Sequence, residues 1–284
     1  MQLNLHEQTS AIITPVTQTR ESQSNIPSKP VSNQDKKEIS ENSPKKLSFL
    51  AKVLEKLTPA KAAPVNSQVS YWLASILYPL GRRLVMPLYF KQLKVTGHEN
   101  IPKTGPVILA PTHRSRWDAL VMPYAAGKPV TGRDLRFMVS ADECTGLQGW
   151  FIKRMGGFPV DTKRPGISSI RHSVELLRSG EALVMFPEGN VFRDGKLHPL
   201  KPGMARIALQ TESSEPGIGL KIVPVNIRYS HLIPHWGSDV TVNIASPLTV
   251  ADYLSKSTKT SAQQLTNDLE TAMKNFDTGD ISVN

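Results

Sequence analysis

Short apolar runs alternate with segments of helical periodicity from residue 93 onward, and few folds are compatible with that alternation. Pro106–Pro111, Ala182–Phe186 and Ile222–Tyr229 have the composition of buried strands. Between the first two runs lies an apolar stripe at helical spacing, which ends at Gly180: Ile167, Ile170, Val174 and Leu177. Strands that alternate with helices predict an α/β domain with a largely parallel sheet flanked by helices.

The rest of the chain divides into a leader and flanking helical segments. Residues 1–66 are rich in Ser, Thr, Gln, Asn, Lys and Glu, and we predict a disordered leader there. Residues 67–284 form the predicted functional domain: a helical segment at 67–92, an α/β core at 93–250, and a C-terminal helix and tail at 251–284. The periodicity of residues 261–276 predicts an amphipathic helix, and Ser261 with Gln264 has capping-box spacing.

Residues 67–92 contain two apolar runs, Tyr71–Leu80 and Leu84–Phe90, separated by Arg82 and Arg83. Neither run reaches the ~20 apolar residues that a helix needs to span a bilayer. Aromatic and arginine side chains beside an apolar face are typical of a helix lying in a membrane interface. A helix buried in the domain is the alternative.

The formal net charge is +10, and it is concentrated in the middle of the chain. Residues 66–211 contain 20 basic and 10 acidic residues, whereas the excess charges of the two ends cancel. A basic surface predicts an anionic partner. Only one cysteine is present, which excludes a disulfide framework and a thiolate zinc site and fits a reducing compartment.

A histidine and an aspartate follow the first buried strand. His113 and Asp118 are five positions apart across a predicted strand-to-helix turn. At that spacing a carboxylate can hold one imidazole nitrogen and leave the other as a base. The alternative is that Asp118 caps the following helix and His113 is unrelated to it.

The strand at residues 182–186 is followed by Pro187, Glu188 and Gly189. Glycine lets a backbone approach a ligand closely, and a glutamate here could order a polyol or neighbouring arginines. An ordinary turn would explain the same residues.

Aromatic and basic residues lie between these two motifs. Phe151, Ile152 and Arg154 precede a glycine pair, and Lys163 follows nearby. A guanidinium there would suit a phosphate, although a solvated basic rim is the alternative. Four apolar positions are candidates for an apolar groove or, equally, for the core: Trp150, Phe158, Val223 and Pro224.

In this order, the motifs resemble those of the glycerolipid acyltransferase family, which includes the lysophosphatidic acid acyltransferases. The matching boxes are His-x4-Asp (His113, Asp118), Phe-Ile-x-Arg (Phe151, Ile152, Arg154), Phe-Pro-Glu-Gly (residues 186–189) and Val-Pro-Val (residues 223–225). The resemblance covers residues 70–250. The family often continues Pro-Glu-Gly with Thr-Arg-Ser, whereas this chain has Asn190-Val191-Phe192-Arg193.

The resemblance implies acyl transfer from a thioester, acyl-CoA or acyl-ACP, to the hydroxyl of lysophosphatidic acid. His113 would be the general base and Asp118 would orient it, while Glu188 would hold the acceptor hydroxyl or order Arg154. Arg154, with Arg193 or Lys163, would bind the acceptor phosphate. N–H groups around Gly189, beside Pro187, would stabilise the oxyanion. The groove residues would hold the acyl chain, and no metal or cofactor is expected.

Other functions remain open at this point. Glycerol-3-phosphate or another lysophospholipid could be the acceptor, and a non-catalytic basic membrane-binding module is the alternative outside enzymes. The expected partners are a phospholipid membrane surface and acyl carrier protein or a CoA thioester, with no nucleic acid. The expected location is the cytoplasmic face of a membrane, with peripheral association, or the plastid stroma in a plant.

Overall fold

The computed structural model describes residue 65 and residues 67–254 and 257–278. The predicted leader lies outside the described residues apart from Val65, so its boundary and its disorder stay predictions. The described strands are β1 (Gln92–Thr96), β2 (Val107–Pro111), β3 (Leu135–Ser140), β4 (Gly157–Val160), β5 (Ala182–Val184), β6 (Lys221–Tyr229), β7 (Asp239–Ile244) and β8 (Leu248–Thr249). The α-helices are α1 (Tyr71–Leu80), α2 (Met86–Tyr89), α3 (Asp118–Ala126), α4 (Lys128–Thr131), α5 (Gly146–Arg154), α6 (Ile167–Arg178), α7 (Gly203–Ser214) and α8 (Thr258–Thr278).

The strands form one sheet in the order β1-β7-β6-β2-β5-β3-β4, with β8 also paired to β6. Five pairs of neighbours are parallel: β1–β7, β6–β2, β2–β5, β5–β3 and β3–β4. Strands β7 and β8 run antiparallel to β6. The predicted α/β fold with a largely parallel sheet is therefore confirmed, with helices on both faces as a buried parallel sheet requires.

Two apolar clusters fill the space between the sheet and its helices. On one face the sheet packs against α6, α7 and α8, with Leu177, Ala208 and Leu265 fully buried. On the other face it packs against α2 and α3, with Met86 and Met122 buried. The apolar stripe of α6 was predicted from its spacing, and the helix ends before Gly180 as expected.

Strands β7 and β1, which both run antiparallel to β6, determine where the N-terminal helices lie. Tyr229 at the end of β6 pairs with Val240 near the start of β7. Gln92 at the start of β1 is in register with Asp239. Helix α2 directly precedes β1, so it lies at the edge of the sheet where β6 ends. Since β6 is parallel to β2, this is the carboxyl edge of the central strands.

The segment at 67–92 is helical, as predicted. Helix α1 continues through a π-helical turn, Gly81–Val85, into α2. Arg82 in this turn donates a hydrogen bond to the carbonyl oxygen of Tyr124 in α3 at 2.8 Å. Among the described residues, no helix is long and apolar enough to cross a bilayer.

The predicted capping box of the last helix is wrong. Helix α8 begins at Thr258, so Ser261 lies inside its first turn and its buried hydroxyl has no hydrogen-bond partner in the described chain. Ser257 caps the helix instead, since its hydroxyl accepts a hydrogen bond from the Thr260 N–H at 3.4 Å.

Candidate active site

His113 and Asp118 form a hydrogen-bonded pair at the end of β2. The Nδ1 atom of His113 lies 2.9 Å from Oδ2 of Asp118, whose side chain is fully buried. Asp118 is the first residue of α3, and the short β2–α3 turn folds the histidine back over it. An ionised carboxylate only accepts hydrogen bonds, so Nδ1 carries the proton and the Nε2 lone pair is available to a substrate.

Asp118 also accepts three other hydrogen bonds, which hold its position. Backbone N–H groups of Arg114 and Ser115 donate to Oδ2 at 2.7 and 2.9 Å. The Tyr229 hydroxyl donates to Oδ1 at 2.6 Å. Together with the His113 ring N–H, these donors fix the orientation of the carboxylate. Asp118 thus combines the two roles that the sequence left as alternatives: it receives N–H groups at the start of a helix and it orients His113.

Tyr229 is a residue of this site that was not predicted from the sequence. It ends β6, 111 residues after Asp118, and no local motif marks it. Burial, followed by the negative charge of Asp118, raises the pKa of its phenol far above the ordinary value. The phenol therefore stays protonated and remains a hydrogen-bond donor at neutral pH.

The imidazole of His113 is fixed by packing as well as by its hydrogen bond. Its ring stacks on Phe186 with the centroids 3.9 Å apart. Its main-chain carbonyl accepts a hydrogen bond from the Phe192 N–H at 2.9 Å. The ring is partly accessible to solvent, and Nε2 makes no hydrogen bond with any residue that the structure describes.

Glu188 connects three segments of the site. Its Oε1 accepts hydrogen bonds from the His113 N–H at 3.0 Å and from the Arg114 guanidinium at 2.8 Å. Its Oε2 accepts one from the His198 N–H at 3.0 Å. The side chains of Glu188 and Arg114 are both buried. Glu188 therefore orders Arg114, and not Arg154 as the sequence had suggested, because β5 and β2 are adjacent strands.

Gly189 adopts a left-handed conformation, with φ of 70°. A Cβ at this position would lie 2.6 Å from Nζ of Lys201, so the lysine side chain crosses directly over the turn. The Gly189 N–H donates to the Phe186 carbonyl oxygen at 3.1 Å. This N–H is therefore used within the turn, whereas it was expected to be free for an oxyanion. Pro187 accepts a hydrogen bond from the Lys201 N–H at 2.9 Å and so closes the same turn.

Strand register brings the start of the β3–β4 connection, which contains α5 and the Phe-Ile-x-Arg box, to the same edge of the sheet. Gly157 at the start of β4 is in register with Phe137, and Phe137 with Val184. Val184 is in turn level with Leu109, near the end of β2. The β3–β4 connection therefore starts on the carboxyl side of the sheet, where side-chain contacts join Glu143 to Arg116 and Gln148. It then returns toward the start of β3, because β3 and β4 are parallel, and the Cβ position of Gly156 lies 2.8 Å from the Leu135 carbonyl oxygen.

The predicted phosphate-binding residues lie on the surface in two different places. Arg154 is exposed, with its guanidinium 4.6 Å from the ring centroid of Trp150, and Lys163 is exposed beyond β4. Arg193 instead lines a cavity of about 180 Å³, together with Arg114, Tyr229 and His231. Arg154 and Lys163 do not line this cavity.

Of the residues predicted for an apolar groove, some lie in the core and some on the surface. Phe158 and Val223 are fully buried in the two apolar clusters, and Pro224 is buried in the middle of β6. Trp150 and Phe151 are exposed on α5, whereas Ile152 is half-buried. Val223 and Pro224 are buried because β6 is a central strand of the sheet, both of whose faces are covered.

The β6–β7 loop contains two histidines four positions apart, His231 and His235. The rings of His231 and His235 lie 4.2 Å apart, and the segment is a loop rather than a helix. Among the described residues, no group of three or more His, Cys, Asp or Glu side chains could hold a metal ion.

Comparisons with known proteins agree with the geometry of this site. Residues 92–228 match the family model described as Acyltransferase. The chain is 27% identical over 176 residues to a 1-acyl-sn-glycerol-3-phosphate acyltransferase of Streptococcus pneumoniae, with 60% of each protein covered. It is 29% identical over 142 residues to the mitochondrial glycerol-3-phosphate acyltransferase 1 of Mus musculus, with 45% of this chain and 17% of that protein covered.

A solved structure has a similar fold. It is the crystal structure of the 1-acyl-sn-glycerophosphate (LPA) acyltransferase PlsC from Thermotoga maritima, with a TM-score of 0.59 and 21% identity. The match covers 75% of this chain and 82% of that chain. The chain spans less than two thirds of the length of these two relatives matched by sequence: 60% of the Streptococcus pneumoniae protein and 17% of the Mus musculus protein.

Proposed function

We propose that residues 92–228, which match the Acyltransferase family model, transfer a fatty acyl group from an acyl thioester to the free hydroxyl of lysophosphatidic acid, giving phosphatidic acid. The observation that carries this proposal is the His113–Asp118 pair, with Nε2 unbonded at the carboxyl edge of the sheet. Ligands of open α/β sheets bind at that edge. The names of the relatives support a phosphorylated glycerolipid acceptor.

The pair can carry out the transfer by general-base catalysis. Nε2 of His113 takes the proton as the acceptor oxygen attacks the thioester carbonyl carbon. The new carbon–oxygen bond gives a tetrahedral intermediate, which collapses with cleavage of the carbon–sulfur bond. The thiolate leaves and receives the proton from the imidazolium. Asp118 stabilises the imidazolium between these steps, and general-base action of this kind contributes about 10²–10⁴-fold.

Glu188 and Arg114 act on the geometry rather than on the proton. Glu188 holds the His113 N–H, and Asp118 holds the next two N–H groups. The backbone on both sides of the imidazole is thereby restrained, and a base must lie within hydrogen-bond reach of the acceptor hydroxyl to act on it. We assign Arg154 to the acceptor phosphate, because it is the exposed cation of the Phe-Ile-x-Arg box.

The acceptor and product are membrane lipids, so we also propose peripheral association with a membrane. Large apolar side chains are exposed along α1 and α2: Tyr71, Trp72, Ile76, Leu80, Leu84 and Leu88. These helices lead into β1, which runs antiparallel to β6, and α2 therefore lies at the active-site edge. Together with Arg83, this surface would bind an anionic bilayer. We place it on the cytoplasmic face, or on the stromal face in a plant, where the anionic donors acyl-CoA and acyl-ACP would be met.

A matrix of acceptors and donors tests the proposal. Purified protein is given lysophosphatidic acid, glycerol-3-phosphate or another lysophospholipid, each with acyl-CoA and with acyl-ACP. We expect the highest kcat/KM with lysophosphatidic acid. Glycerol-3-phosphate is the second candidate, since one of the matched relatives is named for that substrate. Absence of transfer to every acceptor would leave the non-catalytic membrane-binding module as the better account.

A histidine substitution tests the base. His113→Ala should lower kcat by about 10²-fold or more. The exposed His98, which lies beyond β1, provides the matched control, and His98→Ala should keep full activity. Equal activity of the two variants would rule out the assignment of His113.

A further inference from the structure

The loop between β6 and β7 presents three large apolar side chains to solvent. Leu232, Ile233 and Trp236 are 62%, 66% and 63% exposed. None of them belongs to either apolar cluster of the domain. Exposed apolar side chains that lie this close together typically mark an interaction surface, whereas singly scattered ones do not.

The loop is nonetheless well held by hydrogen bonds. The Ser230 N–H donates to the Asp239 carbonyl at 3.0 Å, and the Ser238 N–H to the His235 carbonyl at 3.1 Å. The Ser238 hydroxyl accepts a hydrogen bond from the His235 N–H at 3.0 Å. These hydrogen bonds fix the backbone of the loop, while its three apolar side chains remain exposed to solvent.

Tyr89 of α2 joins this loop to the N-terminal helices. Its hydroxyl donates to the Pro234 carbonyl at 3.2 Å, and its own carbonyl accepts from the Gly237 N–H at 2.8 Å. Its ring lies 5.8 Å from that of Trp236 in an edge-to-face arrangement. The loop with its exposed apolar residues therefore packs against the end of α2, a helix that is remote from it in sequence.

The charge of the two segments favours a lipid surface over a protein groove. Residues 71–98 contain no Asp or Glu, and neither do residues 230–238. The same segments contain Arg82, Arg83, Lys91 and Lys94. Apolar and aromatic side chains with basic residues among them are typical of elements that insert into the headgroup region of an anionic bilayer.

We propose that residues 232–236 are a second membrane-inserting element, which with α1 and α2 seats the active-site edge on an anionic bilayer. The proposal rests on the peripheral association put forward above. The loop leaves β6 directly after Tyr229, which binds Asp118. Insertion beside the end of β6, the neighbour of β2, would hold the catalytic pair at the depth of the lipid headgroups, where the acceptor hydroxyl lies.

A fluorescent label on the loop tests insertion directly. The chain has one cysteine, so Cys144→Ser gives a background without thiols. In it, Ile233→Cys is labelled with the environment-sensitive dye NBD and mixed with vesicles of phosphatidylcholine and phosphatidylglycerol. We expect a blue shift and a rise in emission. Leu254→Cys is the control, since Leu254 is exposed near the opposite edge, where β8 pairs with the start of β6, and its label should not respond.

A double substitution tests the contribution to binding. Ile233→Ser/Trp236→Ser should weaken partitioning to these vesicles by roughly tenfold or more, because two large apolar groups no longer insert. Its kcat with a short-chain, water-soluble lysophosphatidic acid should stay within twofold of wild type, which shows that the site is intact. Its circular dichroism and thermal transition should match wild type.

Three outcomes separate this inference from the proposed function. Wild-type binding with an unresponsive label at residue 233 and unchanged partitioning of the double variant would overturn the role of the loop alone. If the wild-type full chain does not bind vesicles yet acylates the soluble acceptor, both the peripheral association and the role of the loop are wrong, and the enzymatic proposal stands. Loss of partitioning together with a responsive label would support the role of the loop.

Discussion

The Tyr229 hydroxyl donates a hydrogen bond of 2.6 Å to Oδ1 of Asp118, the oxygen that does not contact His113. The His113–Asp118 pair is therefore part of a hydrogen-bonded group of three side chains, whose third member lies on a different strand. Tyr229 fixes the rotation of the carboxylate about its Cβ–Cγ bond. It is a positioning residue, since its effect on His113 passes through Asp118.

Tyr229→Phe should lower kcat and leave the acceptor KM nearly unchanged. Loss of a hydrogen bond to a charged group costs about 1.5–3 kcal/mol, which corresponds to roughly a tenfold or greater fall in kcat. Three donors remain on Asp118, so the variant should fold. Steady-state kinetics with varied acceptor measures the effect. A rise in KM at constant kcat would mean that Tyr229 contacts the acceptor instead.

Arg114→Met should destabilise the protein because it leaves the buried Glu188 carboxylate without its cation. Breaking a buried ion pair from one side costs about 3–5 kcal/mol. Arg116→Met is the matched control: Arg116 pairs with Glu143 on the surface, where such pairs contribute only about 0–1 kcal/mol. The free energy of unfolding in urea distinguishes them. A similar decrease in the free energy of unfolding for both variants would contradict the structural role given to Arg114.

Arg154→Ala should raise the KM for the phosphorylated acceptor by about tenfold, as expected for loss of a charge-assisted contact of about 1.5 kcal/mol or more. The kcat and the donor KM should change little, because Arg154 does not contact the catalytic pair. Arg178→Ala removes an exposed arginine that pairs with Glu215 and serves as the control. If the donor KM rises while the acceptor KM is unaffected, Arg154 binds the donor.

Gly189→Ala should be more harmful than the same change at another left-handed glycine. The new Cβ would be strained by the positive φ and would also contact the side chain of Lys201. Gly217→Ala is the control, because its φ is 84° but nothing lies within 4 Å of the added Cβ. Strain alone costs about 1 kcal/mol or more. We expect Gly189→Ala also to lower kcat, since Glu188 next to it holds the His113 N–H. Equal stability and activity of the two variants would show that the turn has room to relax.

The stability of the fold should fall in alkaline solution partly because of Tyr78. Burial, with a further contribution from the negative charge of Asp134, raises its pKa to about 12 from an ordinary value of 10.0. The folded state therefore keeps the proton that the unfolded state loses. The stabilisation is complete below about pH 10 and disappears as the pH rises to about 12. In urea unfolding measured from pH 9 to 12, the free energy of unfolding of Tyr78→Phe should fall less steeply with pH than that of wild type. Parallel curves would show that Tyr78 does not contribute.

The elements of the fold could be predicted because their signals are local. Apolar runs that alternate with helical periodicity indicated the strands and helices, and β6 (Lys221–Tyr229) matches the strand predicted at Ile222–Tyr229 within one residue. Strand β5 is shorter than predicted and ends at Val184, because the chain turns at Phe186 to place Glu188 under His113. The N-cap of α8 was misplaced because Ser257 and Ser261 have similar local surroundings, and only packing decides which one ends outside the helix.

The sequence by itself determined the chemistry of the site: the imidazole, the carboxylate five positions later and the turn after β5 are all short-range patterns. Only the tertiary structure decided their partners. Strand order makes Arg114 the partner of Glu188, the antiparallel β7 brings α2 beside the β6–β7 loop, and β6 places Tyr229 against Asp118. Spacing and turn chemistry are properties of neighbouring residues, whereas strand register and side-chain burial depend on how distant segments pack, and no local pattern specifies that.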